Sequence, residues 1–265
     1  MKKLLTIVLV LIASIANAGE TLRLATTTST DNSGLLRALL PDFESKTGIR
    51  VQVIAVGTGK ALRMGRDGDV DVVLVHARSA EERFVADGNG VTRYPVMHND
   101  FVIVGPADDE AGVSGEKDVA SALKRIAAAK ARFVSRGDDS GTHKKELSLW
   151  QSASIEPQGR WYLEAGQGMG KVLQMASELQ GYTLSDRGTW LAMRDKLDLK
   201  ILLQGDKRLF NPYGIIAVNP AKHPDVNYHG AMQLIEWFTS VATQQRIAAF
   251  RVAGEQLFVP ENLPK

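Results

Sequence analysis

Short apolar stretches alternate with amphipathic stretches along most of this chain. Residues 21–25 (TLRLA) alternate in polarity and predict a strand, and residues 49–56 predict a second. Residues 71–75 (DVVLV) are rich in β-branched side chains and predict a buried parallel strand. Between the first two strands, apolar residues recur at helical spacing: Leu35, Leu36, Leu39, Leu40 and Phe43. Pro41 lies within this pattern and is expected to kink or shorten the helix. Strands that alternate with helices indicate an α/β fold.

The alternation becomes less regular in the second part of the chain. Further strands are predicted at 97–106, 132–135, 161–165, 181–184, 199–203 and 210–218, and helices at 119–131, 143–150, 171–179, 231–239 and 243–250. No long linker separates two independent domains. We therefore expect two α/β lobes with a ligand cleft between them. Lobe I would comprise residues 19–105 and 206–265, and lobe II, residues 106–205, would be inserted into it. The chain would cross between them near residues 103–107 and 203–212.

The N-terminus has the parts of a secretory signal peptide. Lys2 and Lys3 precede an apolar run at residues 4–15, and Ala16-Asn17-Ala18 supplies small residues at a cleavage site. A run of about 12 residues is shorter than the roughly 20 that span a bilayer. A membrane anchor or a buried core helix is the alternative. We expect residues 1–18 to be a signal peptide and the protein to be periplasmic.

Charge and cysteine content narrow the possible functions. The chain has Lys+Arg 32 against Asp+Glu 30, a net charge of +2, and 6% aromatic residues. This balance provides no basic surface for nucleic acid. The absence of cysteine excludes disulfides, thiolate metal sites, cysteine nucleophiles and lipid attachment at a cysteine. Loss of Lys2 and Lys3 with the signal peptide would take the charge from +2 to 0, so an anion site would need a local source of positive potential.

Four segments each lead from an apolar strand or a glycine-rich turn into a helix. They are residues 25–29, 56–59, 134–142 and 166–170. The first N–H groups of a helix have no intrahelical partner and carry partial positive charge. Hydroxyls add donors, and glycines allow close approach, so converging helix starts could hold a small anion. For any one segment, the alternative is an ordinary N-cap. The run at residues 26–30 (TTTST) contains more hydroxyls than one cap needs.

Arg136 is the sharpest single candidate. It lies where a predicted strand meets a helix, in the segment SRGDDSGT. A guanidinium offers a planar fork of donors that suits a tetrahedral oxyanion. Asp138 or Asp139 could hold this arginine, cap the helix, or accept a proton from a protonated anion. The alternative is a surface Arg–Asp pair on a turn.

These segments resemble the tungstate-binding proteins of bacterial ABC transporters, a family of type II periplasmic binding proteins. The resemblance is carried by TTTSTDNSGLL at 26–36, VGTGKAL at 56–62, HNDFVIVGP at 98–106, SRGDDSGTHKKE at 135–146, GYTLSDRGTW at 181–190 and NPYGIIAVNP at 211–220. It implies capture of tungstate, molybdate or a similar tetrahedral oxyanion between the lobes, and delivery to a permease in the inner membrane. We expect a monomer that acts without a cofactor or a metal cation.

The resemblance also assigns ligand-binding residues. It implies oxyanion contacts from Thr28, Ser29, Thr58, Arg136 and Thr142, from backbone N–H groups near Gly168 and Met169, and, as a weaker candidate, from Ser185. Asp138 is expected to turn away from the anion and orient the arginine, because tungstate carries no proton for a carboxylate to accept.

Three alternative functions remain at this stage. The segment at 136–142 also resembles the R-x-D-x-S-G-T turn of phosphate-binding proteins. An exported serine hydrolase could use Ser140, His143 and a nearby aspartate, although the G-x-S-x-G elbow is missing. In a structural or adhesion protein, the hydroxyl-rich turns would be caps only. We favour the oxyanion carrier, which is not an enzyme.

Overall fold

The computed structural model describes residues 20–264, so the predicted signal peptide at 1–18 lies outside the described residues. The strands are β1 Thr21–Thr27, β2 Arg50–Val56, β3 Val72–Val75, β4 Gly90–Gly105, β5 Phe133–Ser135, β6 Tyr162–Glu164, β7 Thr183–Asp186, β8 Lys200–Leu203, β9 Phe210–Val218, β10 Arg251–Val252, β11 Glu255–Gln256 and β12 Val259–Pro260. The helices are α1 Thr28–Asn32, α2 Leu35–Thr47, α3 Thr58–Asp67, α4 Arg78–Ala86, α5 Val119–Ala129, α6 Gly141–Ser152, α7 Met169–Glu178, α8 Arg187–Met193, α9 Tyr228–Thr239 and α10 Val241–Ala249.

The main sheet brings the ends of three parallel strands together. Its strand order is β12-β4-β9-β3-β1-β2, and β1 runs parallel to both β2 and β3. In this register Thr27 pairs with Val56, and Thr26 pairs with Leu74. The residues that follow β1, β2 and β3 therefore emerge at the same edge of the sheet. This is the edge at which open α/β sheets bind ligands.

The long strand β4 joins two parts of the structure. Its first part pairs with β9 as far as Asp100, opposite Phe210. Its second part pairs with β7 from Phe101, opposite Asp186, and with β8. The sequence pattern predicted only residues 97–106 of this strand, because the exposed and half-exposed positions at 91–95 hide its beginning.

Helices cover both faces of the main sheet, in which β1, β2 and β3 run parallel and β9, β4 and β12 pair antiparallel. Side chains of α3 and α4, including Ala61 and Phe84, pack on one face with Val73. Leu36 of α2 and Leu234 of α9 belong to the cluster on the other face. A separate cluster packs α5 and α6 against the second part of β4. The predicted α/β fold class is confirmed. Between residues 20 and 264, no helix is both long and apolar enough to cross a membrane.

The structure differs from the predicted elements at several points. Pro41 does not shorten α2, which continues to Thr47 and is capped by Gly48, because the proline is exposed and the carbonyl of Arg37 that it leaves without a partner can be hydrated. Helix α4 was missed because it buries a single large apolar side chain, Phe84. Helix α8 and the short strands β10 to β12 provide too few residues for a period to be recognised.

A buried carboxylate, Asp71, holds β1, β3 and α9 together. Its two oxygens accept hydrogen bonds from the backbone N–H of Arg23 (2.6 Å), from the Arg23 guanidinium (2.6 Å) and from the N–H of Asn227 (3.0 Å). Burial raises the pKa of Asp71, but these hydrogen bonds outweigh it and hold the pKa below its usual range. A carboxylate so held stabilises the fold at neutral pH, and this stabilisation is lost as the pH falls through the folded-state pKa.

We predict that Asp71→Asn destabilises the protein by about 2 kcal/mol at pH 7, because an amide leaves buried donors without an acceptor. The difference from wild type should shrink in acid. Urea unfolding at pH 7 and at about pH 2.5, which lies below the ordinary pKa of an aspartate, measures both effects. Asp67→Asn, in an exposed pair with Arg66, is the control and should leave the midpoint unchanged. Equal midpoints for Asp71→Asn and wild type would contradict the prediction.

Candidate functional site

The hydroxyl side chains at the end of β1 are of two kinds. Some form hydrogen bonds within the fold, and others lie at accessible positions. Thr26 donates to a backbone carbonyl of β3 (2.7 Å). Thr27 caps α1 by accepting from the N–H of Thr30 (3.2 Å), and the two hydroxyls lie 2.6 Å apart. These three side chains are buried. Thr28 is exposed and Ser29 is half-buried at the start of α1. The run therefore builds a cap and leaves Thr28 and Ser29 accessible at its end, with Oγ of Ser29 3.1 Å from Oγ1 of Thr27.

His76 follows β3 directly and lies beside these hydroxyls. Its Nε2 is 3.2 Å from Oγ1 of Thr27 and 3.4 Å from Oγ of Ser29, and its Nδ1 is 2.9 Å from Oδ1 of Asn211. Burial lowers the pKa of His76, which favours the neutral ring. Sequence reasoning missed this residue. Its place at the carboxyl end of a strand next to β1 is the signal that could have identified it.

The start of α6 faces the starts of α1 and α3. Ser140 caps α6 by accepting from the N–H of His143 (3.2 Å). A Cβ placed on Gly141 would lie 3.4 Å from Cε1 of His76 and 3.8 Å from Oγ1 of Thr58. The structure thus brings the predicted site residue Thr58, at the first position of α3, close to the first turn of α6. Thr142, the next residue of that turn, is buried.

Arg136 lies in the turn before α6 and is paired with Asp138. Its Nη2 donates to Oδ2 of Asp138 (2.5 Å), and Oδ1 of the same carboxylate accepts from the N–H of Ser140 (3.2 Å). Partial burial raises the pKa of Asp138, but the hydrogen bonds from Ser140 and the charge of Arg136 lower it further than burial raises it. Within residues 20–264, the buried Nε of Arg136 has no hydrogen-bond partner. The neighbouring Asp139 is exposed and pairs with Lys144 (3.2 Å).

The start of α7 lies beside the same turn. The N–H of Gln167 donates to the carbonyl of Arg136 (3.3 Å), and the N–H of Ala165 donates to the carbonyl of Ser135 (3.0 Å). Gly168 is the N-cap of α7 and makes no side-chain cap, while Met169 is buried at its first helical position. The backbone that carries the predicted donors near Gly168 is therefore next to Arg136.

Ser185 is placed differently from the other predicted residues. It is fully buried in β7, opposite Val102, and its hydroxyl donates to the carbonyl of Asp186 (3.0 Å). Among the described contacts, none joins this hydroxyl to the helix starts. The charge of the adjacent Asp186 acts to raise the pKa of His76, although burial of the ring lowers that pKa further.

Hydrogen-bond donors predominate where these elements meet. They comprise hydroxyls, the free N–H groups of helix starts and one guanidinium. The two carboxylates of the turn, Asp138 and Asp139, are already paired. In the part of the chain from residue 20 to residue 264, no three His, Asp or Glu side chains are grouped to hold a metal ion. The arrangement suits an anion that accepts several hydrogen bonds.

Comparison with known proteins agrees with this chemistry. A family model described as a PBP superfamily domain matches residues 14–242. The chain is 52% identical over 241 residues to the tungstate-binding protein TupA of Peptoclostridium acidaminophilum, and the match covers 89% of this chain and 84% of the relative. The chain belongs to the PBP superfamily and, within it, to the TupA family.

Solved structures give the same result for the fold. The tungstate-binding protein TupA from Desulfovibrio alaskensis G20 matches with a TM-score of 0.86 and 50% identity, over 92% of this chain and 100% of that one. The tungstate ABC transporter structure from Geobacter sulfurreducens matches with a TM-score of 0.80 and 58% identity, over 88% of this chain and 100% of that one. The resemblance inferred from the sequence motifs is confirmed.

In this member of the TupA family, a buried carboxylate supports the turn that carries Arg136. Glu146 of α6 accepts hydrogen bonds from Ser135 (2.8 Å), Trp150 (3.2 Å) and Tyr162 (2.7 Å). Burial raises the pKa of Glu146, while these three donors favour the ionised form. The contacts fix the end of β5 immediately before the arginine.

We predict that Glu146→Gln lowers the free energy of unfolding by about 1–3 kcal/mol, because the amide NH₂ would face a buried donor. Urea unfolding followed by tryptophan fluorescence measures the change. Glu236→Gln, at an exposed position of α9, is the matched control. A fully stable Glu146→Gln protein would contradict the prediction, because it would show that the three donors do not require a carboxylate.

Proposed function

We propose that this protein is the periplasmic substrate-binding component of a tungstate ABC transporter. The supporting observation is the meeting of the α1, α3 and α6 starts with Arg136, where Gly141 approaches His76 and Thr58. Its relatives in the TupA family are named for tungstate binding. Molybdate has nearly the same size and the same charge as tungstate, so we expect it to bind at the same place.

The anion would be held by donors from both sides of the cleft. Hydroxyls of Thr28, Ser29 and Thr58 would contact it from the first side. Arg136, Thr142 and the backbone near Gly168 and Met169 would contact it from the second, with Ser185 as the weakest member of the set. Free N–H groups in the first turns of α1, α3 and α6 add partial positive charge. Such preoriented dipoles can replace the hydration shell of a dianion.

The surroundings of Asp138 favour tungstate over phosphate. A carboxylate in an anion site helps to bind a protonated anion, because it accepts the proton. Here one oxygen accepts from Arg136 and the other from the N–H of Ser140, and the pKa is lowered. A carboxylate engaged in this way orients the arginine. Tungstate has no proton to donate at neutral pH and needs only donors.

We further propose that two lobes close on the anion. Lobe I would comprise residues 19–105 and 206–265, and lobe II residues 106–205. The chain would cross between the lobes near residues 103–107 and 203–212, shortly after β4 switches its partner from β9 to β7 between Asp100 and Phe101. Each lobe supplies part of the donor set, so a bound anion would favour the closed arrangement. Residues 1–18 would direct the chain to the periplasm, where the loaded monomer meets the permease.

The contacts of Ser140 oppose the hydrolase alternative. In a Ser–His pair, the serine hydroxyl donates to an imidazole nitrogen. Here Oγ of Ser140 accepts from the backbone N–H of His143, and Nδ1 of His143 accepts from the N–H of Asp139 (3.0 Å). Both side chains serve the turn and the cap of α6. We therefore infer that the protein is a carrier and not an enzyme.

Titration calorimetry with tungstate, molybdate, sulfate and phosphate tests the proposed function. We expect stoichiometric binding of tungstate and molybdate, and weak or absent binding of phosphate. Tungstate at 1,000 times its dissociation constant should stabilise the protein by roughly 4 kcal/mol in a thermal melt. Tight phosphate binding without tungstate binding would contradict the proposal.

Arg136→Ala should weaken tungstate binding by about 100-fold, because a charge-assisted pair of hydrogen bonds is lost. Arg78→Ala is the matched control, since this arginine forms an exposed pair with Glu82 on α4. Calorimetry on both variants gives the ratio of dissociation constants. If Arg136→Ala binds tungstate with wild-type affinity, Arg136 does not contribute to anion binding and the prediction is wrong.

A further inference from the structure

A continuous chain of hydrogen bonds runs from α1 through His76 to the strands behind it. Thr30 and Thr27 lie 2.6 Å apart at their hydroxyls, and Thr27 lies 3.2 Å from Nε2 of His76. Nδ1 of His76 is 2.9 Å from Oδ1 of Asn211, and Nδ2 of Asn211 donates to Oδ1 of Asn99 (2.8 Å). Both asparagines are buried.

The asparagines determine which nitrogen of His76 carries the proton. Because the amide nitrogen of Asn211 is engaged with Asn99, the amide oxygen faces the imidazole. An amide oxygen only accepts, so Nδ1 of His76 carries a hydrogen. In the neutral ring, Nε2 is then an acceptor. It must take its hydrogen bond from a hydroxyl, and Thr27 is nearer than Ser29.

The direction of the hydrogen bond between Thr27 and His76 determines whether the hydroxyl of Ser29 is free to donate. If Thr27 donates to Nε2, its oxygen is free to accept from the N–H and the hydroxyl of Thr30, at 3.2 Å and 2.6 Å. Both lone pairs of the Thr27 oxygen are then occupied by Thr30. Oγ of Ser29 lies 3.1 Å from Oγ1 of Thr27 and 3.4 Å from Nε2 of His76, but neither atom has a lone pair left to accept the Ser29 hydrogen. That hydrogen can point to an anion at the start of α1.

We propose that His76 is a positioning residue for oxyanion binding: its Nε2 accepts from Thr27, which leaves the Ser29 hydroxyl free to donate to the anion. This role rests on the proposed function. The imidazole also packs against the ring of Tyr213, with centroids 4.8 Å apart, and approaches Gly141 of α6. It therefore lies between the start of α1 and the start of α6.

The neutral state of the ring is part of this role. A protonated ring would donate a hydrogen bond from Nε2, and the hydrogen bond with Thr27 would then run in the opposite direction. The titratable groups facing His76 are Tyr213 and Asp186. Burial lowers the pKa of His76, while the charge of Asp186 and the bond to Asn211 act in the opposite direction. Burial raises the pKa of Tyr213, so the phenol stays neutral.

Two variants distinguish the hydrogen-bond acceptor of His76 from the packing of its ring. His76→Phe keeps an aromatic ring beside Tyr213 but has no acceptor, and it should weaken tungstate binding about tenfold. His76→Gln supplies an amide oxygen and should recover most of that loss. His229→Phe, at an exposed position of α9, is the matched control and should bind as wild type. Thermal melts show whether each variant is folded. Wild-type affinity in His76→Phe would overturn the proposal.

Nitrogen-15 NMR of the imidazole rings tests the direction of the chain without any anion. In the anion-free wild-type protein we expect His76 to be neutral, with hydrogen on Nδ1, from pH 6 to pH 8. A ring protonated on Nε2 in this range overturns the proposal. Failure of the wild type to bind tungstate would overturn the proposed function itself. If the wild type binds tungstate and His76→Phe binds it equally well, the proposed role of His76 is wrong and the proposed function stands.

Discussion

The parallel register of β1, β2 and β3 is the constraint on which the site depends. Because these strands end at one edge of the sheet, Thr28, Thr58 and His76 follow them into one small region. Asp71 supports this register by fixing Arg23 of β1 beside β3. A slip of one residue in β1 would turn its hydroxyls to the opposite face. The pairing of the strands therefore brings the site residues together, and the chemistry of their side chains depends on that pairing.

Electrostatics explain how a nearly neutral protein can hold a dianion. The carboxylates around the site are already engaged by donors: Asp138 by Arg136, and Asp186 by the N–H and hydroxyl of Thr189 (2.8 Å each). Glu146 accepts three hydrogen bonds. The hydrogen-bond donors next to each carboxylate thus partly compensate its negative charge. The partial charges of helix starts and the guanidinium can then act on the ligand at short range.

The sequence allowed much of this site to be predicted, since its donors lie in recognisable local patterns. The run at residues 26–30 and the turn around Arg136 could be interpreted from strand, turn and helix alone. The position of His76 at the end of a strand was visible in the sequence, but the roles of His76 and Glu146 were not, because these roles arise from contacts with Asn211 in one case and Tyr162 in the other. Helix α4 was missed for a related reason: its buried Glu81 pairs with Arg93 of β4, so a polar residue occupies a core position.

The central claim is that one oxyanion is held between the helix starts and Arg136. Crystals of the protein with tungstate, measured at the tungsten absorption edge, test it most directly. We expect one strong anomalous peak within hydrogen-bond distance of Ser29, Thr58 and Arg136. A peak elsewhere, or none in crystals of protein that binds tungstate in solution, would contradict the claim.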